Sequence, residues 1–303
     1  MRTLTLPLFL SLAGCFQTDS MTDVLPDERI QVNLPTSSAA AKDEPAWSEW
    51  YLFTAGTTEN INAMIGSVLF WVDTVTHDYP PTYLDTDNDQ AEWGPWSTAL
   101  DPVETLLWVA YDPSLDTHSW GFDQWPRDAE SDQASSVIVG EVDAGATQDI
   151  SSGRFDVDFT AIHELDPTES ATGQFEVEYD IHSQGVTATA GFTDFGPDEI
   201  TAEYAYDQTF EGEGRMVLVV HADINPESGT GAEETWNTLS RWTADGAGRV
   251  DILITDGDLG SDTATIVECW SSGFEAVYHA ESLSDAEEGD AALCVFEDAY
   301  LGT

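Results

Sequence analysis

Apolar residues recur along this chain with two different periods, and the change between them divides it. Between Thr58 and His77, Ile61, Met64, Ile65, Val68, Leu69, Val72 and Val75 fall at the i, i+3, i+4, i+7 spacing of one buried helical stripe. Thr57 or Thr58 can cap the start, and Pro80-Pro81 stops the chain from continuing. A helix of about twenty residues is a rod of about 30 Å. Asn62 and Asp73 within it argue against a membrane span.

Beyond Pro81 the period falls to two. Phe155–Phe159, Phe175–Ile181, Glu203–Tyr206, Met216–Ala222, Arg249–Ile254 and Thr263–Trp270 alternate apolar or aromatic residues with acids and other polar groups. Such alternation is the pattern of an antiparallel sheet that is wet on one face. Turn residues separate the runs, as at Ser152-Gly153, Gly212-Glu213-Gly214, Asp245-Gly246 and Ser272-Gly273. The reading is a mainly β, α+β domain with about ten to twelve strands and one helix. A large curved antiparallel sheet, or half-barrel, packed around that amphipathic helix is the expected architecture. A β-sandwich is the alternative.

The first residues follow neither pattern. Arg2 precedes an apolar run from Leu4 to Leu12, and Ala13-Gly14-Cys15 follows, as in a secretory signal. Leu12-Ala13-Gly14-Cys15 resembles the lipobox of bacterial lipoproteins. That resemblance implies cleavage before Cys15, lipidation of Cys15 and anchoring in the cell envelope. Phe16, where aspartate accompanies inner-membrane retention, implies the outer membrane. Residues 1–14 are therefore expected to be a signal peptide. Residues 15–46, polar and marked by Pro26, Pro35 and Ser37-Ser38, read as lipidated cysteine and flexible tether. Residues 47–303 form the single β-rich domain.

Charge changes the picture more than composition does. Fifty-eight Asp and Glu face eight Lys and Arg, a net charge of −50. Nucleic acids and anionic membrane surfaces need clustered cations and are excluded as partners. The chain is 41% hydrophobic and has eleven tryptophans, so the acid excess does not prevent a core.

Candidate chemistry is sparse. The sequence contains no GxSxG, HExxH, Walker or GxGxxG motif, and its six histidines have no metal-ligand spacing. The reading is non-enzymatic. Two acidic segments have part of the oxygen-ligand pattern that calcium requires. Asp85, Asp87 and Asp89 match the opening of an EF-hand loop, but Gln90 and Trp96 replace its glycine and closing glutamate. Asp223, Asn225, Glu227 and Glu234 include the closing carboxylate, but Ser228 replaces the glycine. Cys269 and Cys294 form an even pair outside the cytoplasm and are expected to be disulfide-bonded. Trp93, Trp96, Trp120 and Trp125 could stack on sugars, although large rings more often plug a curved sheet. Arg241 and Arg249, cations in an acidic field, should have carboxylate partners. Ser240 to Arg249, Glu268-Cys269-Trp270 and Trp93-Gly94-Pro95-Trp96 together resemble a pattern in secreted bacterial lipoproteins that have no assigned activity.

The expected function is a lipid-anchored envelope protein acting as a binding or structural module, with a lipophilic ligand between sheet and helix. The alternative is a surface adhesin or carbohydrate-binding module assisted by calcium. Self-repulsion should govern stability, because the Debye length falls from about 30 Å at 0.01 M salt to about 3 Å at 1 M. The melting temperature is expected to rise with NaCl across that range, and a flat scanning-calorimetry series would contradict this.

Overall fold

The computed structural model describes residues 47–143, 150–223 and 231–297. A helix, α1 (Glu49–Asp78), comes first. The strands that follow are β1 (Tyr83–Asp85), β2 (Gln90–Trp96), β3 (Val103–Asp112), β4 (Thr117–Pro126), β5 (Ser135–Asp143), β6 (Ser151–Asp158), β7 (Gln174–His182) and β8 (Gly185–Phe195). They continue as β9 (Ile200–Thr209), β10 (Gly214–Ala222), β11 (Glu234–Trp242), β12 (Gly248–Asp256), β13 (Ala264–Trp270), β14 (Ala276–Glu281) and β15 (Ala286–Gly289). A short helix, α2 (Phe159–Leu165), lies between β6 and β7. All fifteen strands pair in chain order in one antiparallel sheet, with β1 and β15 at its edges. The large curved sheet around a helix is the observed architecture, and the sandwich alternative is not. A meander in unbroken order has no strand that crosses to a second layer.

α1 starts nearly three turns before the expected cap. Ser48, not Thr57 or Thr58, is the N-cap, and its Oγ accepts from the Tyr51 amide at 2.9 Å. Thr54 and Thr58 instead face the sheet: Thr54 Oγ1 lies 2.6 Å from Ser240 Oγ, and Thr58 Oγ1 donates to Met216 Sδ at 3.7 Å. Their hydroxyls extend the buried stripe without aliphatic residues, so hydrophobic periodicity alone missed this part of the helix. Downstream the stripe is as expected, with Ile61, Ile65, Leu69, Val72 and Val75 buried. Tyr79 is extended and ends the helix ahead of the prolines.

The helix lies across the strands like the chord of an arc. At its N-terminus the Glu268 carboxylate on β13 accepts from Ser48 Oγ and from the Trp50 amide at 3.2 Å, and His279 on β14 lies 3.1 Å from the same carboxylate. At its C-terminus Trp93 Nε1 on β2 donates to the Tyr79 carbonyl at 2.9 Å. Thirty residues give a rod of about 45 Å. The eleven strand steps from β2 to β13 cover about 53 Å along the sheet. The sheet must bow around the helix for both ends to meet it. No described helix is long and apolar enough to cross a membrane.

A second device packs the sheet, mostly on its inner face. Tryptophan faces glycine directly across neighbouring strands five times: Trp108 and Gly121, Trp120 and Gly140, Gly214 and Trp242, Trp242 and Gly248, and Gly248 and Trp270. In all of them but Trp242 and Gly248 the indole lies where the glycine's Cβ would be. The absent side chain leaves a flat patch of backbone on which the ring packs, a cross-strand aromatic rescue. This arrangement accounts for four of the eleven tryptophans. It also brings rings together at the helix, where Tyr51 stacks on Phe274 at 4.3 Å and meets Trp270 at 6.0 Å.

The expected alternating runs fall in β6, β7, β9, β10, β12 and β13, but two corrections follow. Among the described residues there are fifteen strands, not ten to twelve. The run from Phe155 ends at Asp158, whose carboxylate caps α2 by accepting from the Ala161 amide at 2.9 Å. Phe159 is helical.

Gly248→Ala should be destabilising by about 1–3 kcal/mol, because Trp270 is 2% exposed and cannot yield. Gly191→Ala, on a strand with open space at Cβ, should be neutral or stabilising by up to about 1 kcal/mol. Urea denaturation of the two variants distinguishes a packing role for the glycines from a merely conformational one.

Candidate functional site

The face of the sheet opposite α1 holds a furrow of about 740 Å³ across β4 to β10. Antiparallel register lines its side chains up in transverse rows. One row runs Glu141, Arg154, Glu178, Thr189, Ala205 and Val217, one residue per strand from β5 to β10. The next runs Asp143, Ser152, Asp180, Thr187, Asp207 and Arg215, with Ser152 donating to the Asp143 carboxylate. Small side chains at Thr187, Thr189, Ala205 and Val217 lower the floor, and longer charged ones form the rim.

Electrostatics in the furrow are mixed but predominantly acidic. Arg154 Nη2 pairs with Glu141 at 3.0 Å, and both are largely exposed. One strand row further along the same face, burial together with the neighbouring Glu176 carboxylate raises the Asp156 carboxyl above its usual range. Across the sheet below, Tyr179 and Tyr206 are buried and their phenol pKa values are pushed up by desolvation.

The second row continues past Arg215 into Arg241 on β11, Arg249 on β12 and Cys269 on β13. Here a clasp holds the C-terminal segment to the sheet. Arg249 donates through Nε at 2.9 Å and Nη2 at 2.7 Å to Asp251 Oδ1, while Arg241 Nη2 donates to Oδ2 at 2.7 Å. The same guanidiniums bind the Phe296 and Glu297 carbonyls at 3.3 Å and 2.8 Å, and Arg241 covers the Phe296 ring. The Cys269–Cys294 disulfide closes the clasp with a Cα separation of 5.4 Å. The expected pairing of both arginines with a carboxylate is thus observed.

The other sequence candidates are scattered. Asp85 forms a tight hairpin turn: its carboxylate accepts from the Asp87 and Asn88 amides and from Asn88 Nδ2. The Asn88 side chain, then the Asp87 amide, holds its pKa below the usual range. Asp89, with φ of 48°, is a turn residue before β2. Asp223 follows β10, while Asn225 and Glu227 lie outside the described residues. Glu234 is buried at the start of β11 and accepts from the Asp258 amide at 2.8 Å. Among the described residues no three His, Cys, Asp or Glu are grouped to hold a metal. Trp93, Trp120 and Trp125 are buried in the core rather than offered to a sugar. Cys15 lies outside the described residues. His118 is buried beside Tyr111 with a ring separation of 5.0 Å, and desolvation lowers its pKa.

Sequence reasoning did not find the furrow, because its residues are ordinary surface types spread over six strands. Only the strand register brings them together.

Removing Asp251 should separate buried from exposed electrostatics. Asp251→Asn removes the buried carboxylate that the two guanidiniums share, and a loss of about 3–5 kcal/mol is expected. Glu141→Gln, which breaks the exposed Arg154 pair, should cost less than about 1 kcal/mol. Chemical denaturation under oxidising conditions measures both.

Comparison of the chain with protein-family models, with curated proteins and with solved structures gives no match.

Proposed function

We propose that this chain is a non-enzymatic, lipid-anchored protein of the cell envelope, a binding module whose ligand-contacting face is the furrow opposite α1. The furrow is the observation that carries the reading: an elongated depression with a low floor and charged rim, on a sheet made rigid by its core. Anchoring rests on Leu12-Ala13-Gly14-Cys15 and gives the module one membrane partner, through lipid on Cys15. The outer membrane is favoured by Phe16.

Packing favours this face over a lipophilic cavity beneath the sheet. Val72, Leu107 and Met216 are fully buried there, so the protein's own side chains fill the space a lipid would take. The adhesin alternative keeps its acidic surface but loses its tryptophan row, since three of those rings belong to the core.

Two measurements test the reading. Wild-type protein expressed in a lipoprotein-processing bacterium should sediment with membranes, and Cys15→Ser should stay in the soluble fraction. Wild-type protein in the soluble fraction would contradict anchoring. Native mass spectrometry of Cys15→Ser protein should show the bare chain mass, and a persistent lipid adduct would restore the interior site.

A further inference from the structure

The furrow's second row has a repeat that selects among ligands. Its carboxylates, Asp143, Asp180 and Asp207, stand on β5, β7 and β9, one on every second strand. Two strand spacings are about 9.6 Å. A polyproline-II chain advances about 9.3 Å in three residues. A β-strand gives same-face side chains at about 6.8 Å, which drifts out of phase at the second carboxylate.

We propose that the furrow binds an extended cationic peptide in polyproline-II conformation, with a lysine or arginine at every third position. The inference rests on the reading of the furrow as the binding face. Each cationic side chain meets one carboxylate, and the mismatch over three sites is about 0.6 Å, within the reach of a flexible ammonium or guanidinium group. Polyproline II leaves its carbonyls without internal partners. Thr187 places a hydroxyl on the strand between Asp180 and Asp207, while the Ser152 hydroxyl holds the Asp143 carboxylate in the row. Thr189, Ala205 and Val217 in the neighbouring row offer methyl groups on which prolyl rings can pack.

Charge complementarity names the occupant. The chain carries a net −50, a field that draws in cations and repels polyanions. Within the furrow's two rows five carboxylates face two guanidiniums, and one of those, Arg154, is already paired with Glu141. The acid repeat also has an end. Where the next carboxylate would fall, on β11, the row carries Arg241, and Arg215 on β10 precedes it. The row therefore takes three cationic side chains, and Arg215, which lines the furrow at that end, suits the peptide's C-terminal carboxylate.

The test uses the full-length chain with Cys15→Ser and isothermal titration calorimetry at about 0.15 M salt. The probes are a peptide of repeated Pro-Pro-Lys, its composition-matched scramble, a neutral oligosaccharide and Ca²⁺ alone. The repeat peptide is expected to bind at least about tenfold more tightly than the scramble. The triple variant Asp143→Asn, Asp180→Asn, Asp207→Asn should lose that binding, as should Thr189→Trp, which fills the floor. Glu59→Gln, Asp73→Asn, Asp78→Asn, which removes equal charge from the helix, should retain it. Equal affinity for repeat and scramble, or an equal loss in the helix variant, would overturn the proposal in favour of diffuse attraction. Binding of the neutral oligosaccharide or of Ca²⁺ alone, abolished by Thr189→Trp, would overturn the cationic ligand while sustaining the furrow as the binding face. Absence of binding by the repeat peptide overturns the proposal and leaves membrane anchoring to its own test.

Discussion

The contact between one helix and the inner face of the sheet is the constraint on which the remaining structure depends. Fifteen antiparallel strands expose one apolar face that water cannot be left to cover. A single rod of thirty residues covers it only if the sheet bends toward the rod. Both ends of α1 are fixed for this purpose, by the Glu268 carboxylate at the first turn and by the Trp93 indole at the last carbonyl. A carboxylate beside free amides at a helix N-terminus is also favoured by the helix dipole. The bend, the buried stripe and the outward display of acids all follow from that one seat.

Curvature requires close packing on the inner side, and glycine supplies it. Where a strand passes beneath a tryptophan on its neighbour, removal of one side chain makes room for the largest one. The Trp–Gly pairs of the inner face lie on β4 and β5 and on β10 to β13, towards opposite ends of the sheet, with the smaller Gly153–Tyr179 pair between them, while Trp108 and Gly121 pack in the same way on the outer face. Alternation of large and absent side chains keeps density high without a second layer. The two faces of the sheet then diverge in character. The inner one is fixed by ring packing, and the outer one is free to carry charge.

Much of this was legible in the sequence, and the failures have physical causes. Period-two runs located β6, β7, β9 and β10, because each has a wetter face and a dry one, and β12 and β13, whose outer polar residues are covered by the C-terminal clasp. The Ile61–Val75 stripe located the helix. Its first turns were hidden because Thr54 and Thr58 enter the core as hydroxyls with hydrogen-bond partners, where the pattern expects hydrocarbons. Strands such as β8, whose inner positions are Ala188 and Ala190, lack a strong apolar signal. The disulfide and the pairing of Arg241 and Arg249 were readable from scarcity alone, since few cations and cysteines leave few choices. The furrow was not, because register is set by turns and core packing over six strands, and one-dimensional spacing does not encode it.

The unbroken order of the meander also bears on how the chain assembles. Each strand pairs with its immediate neighbour in sequence, so strand pairing is local even though the sheet is very wide, and local pairing favours fast folding; only the seat of the helix joins distant parts of the chain. The helix is made first and the strands follow it in order, from its C-terminal end at β2 back to its N-terminal end at β13. A chain emerging from its N-terminus could therefore build the sheet one hairpin at a time along a rail already laid down. The last strands return to Ser48, where the helix began, and the Cys269–Cys294 bond then closes beside the starting point. Assembly order and spatial order coincide, so no strand has to be inserted between two that have already paired.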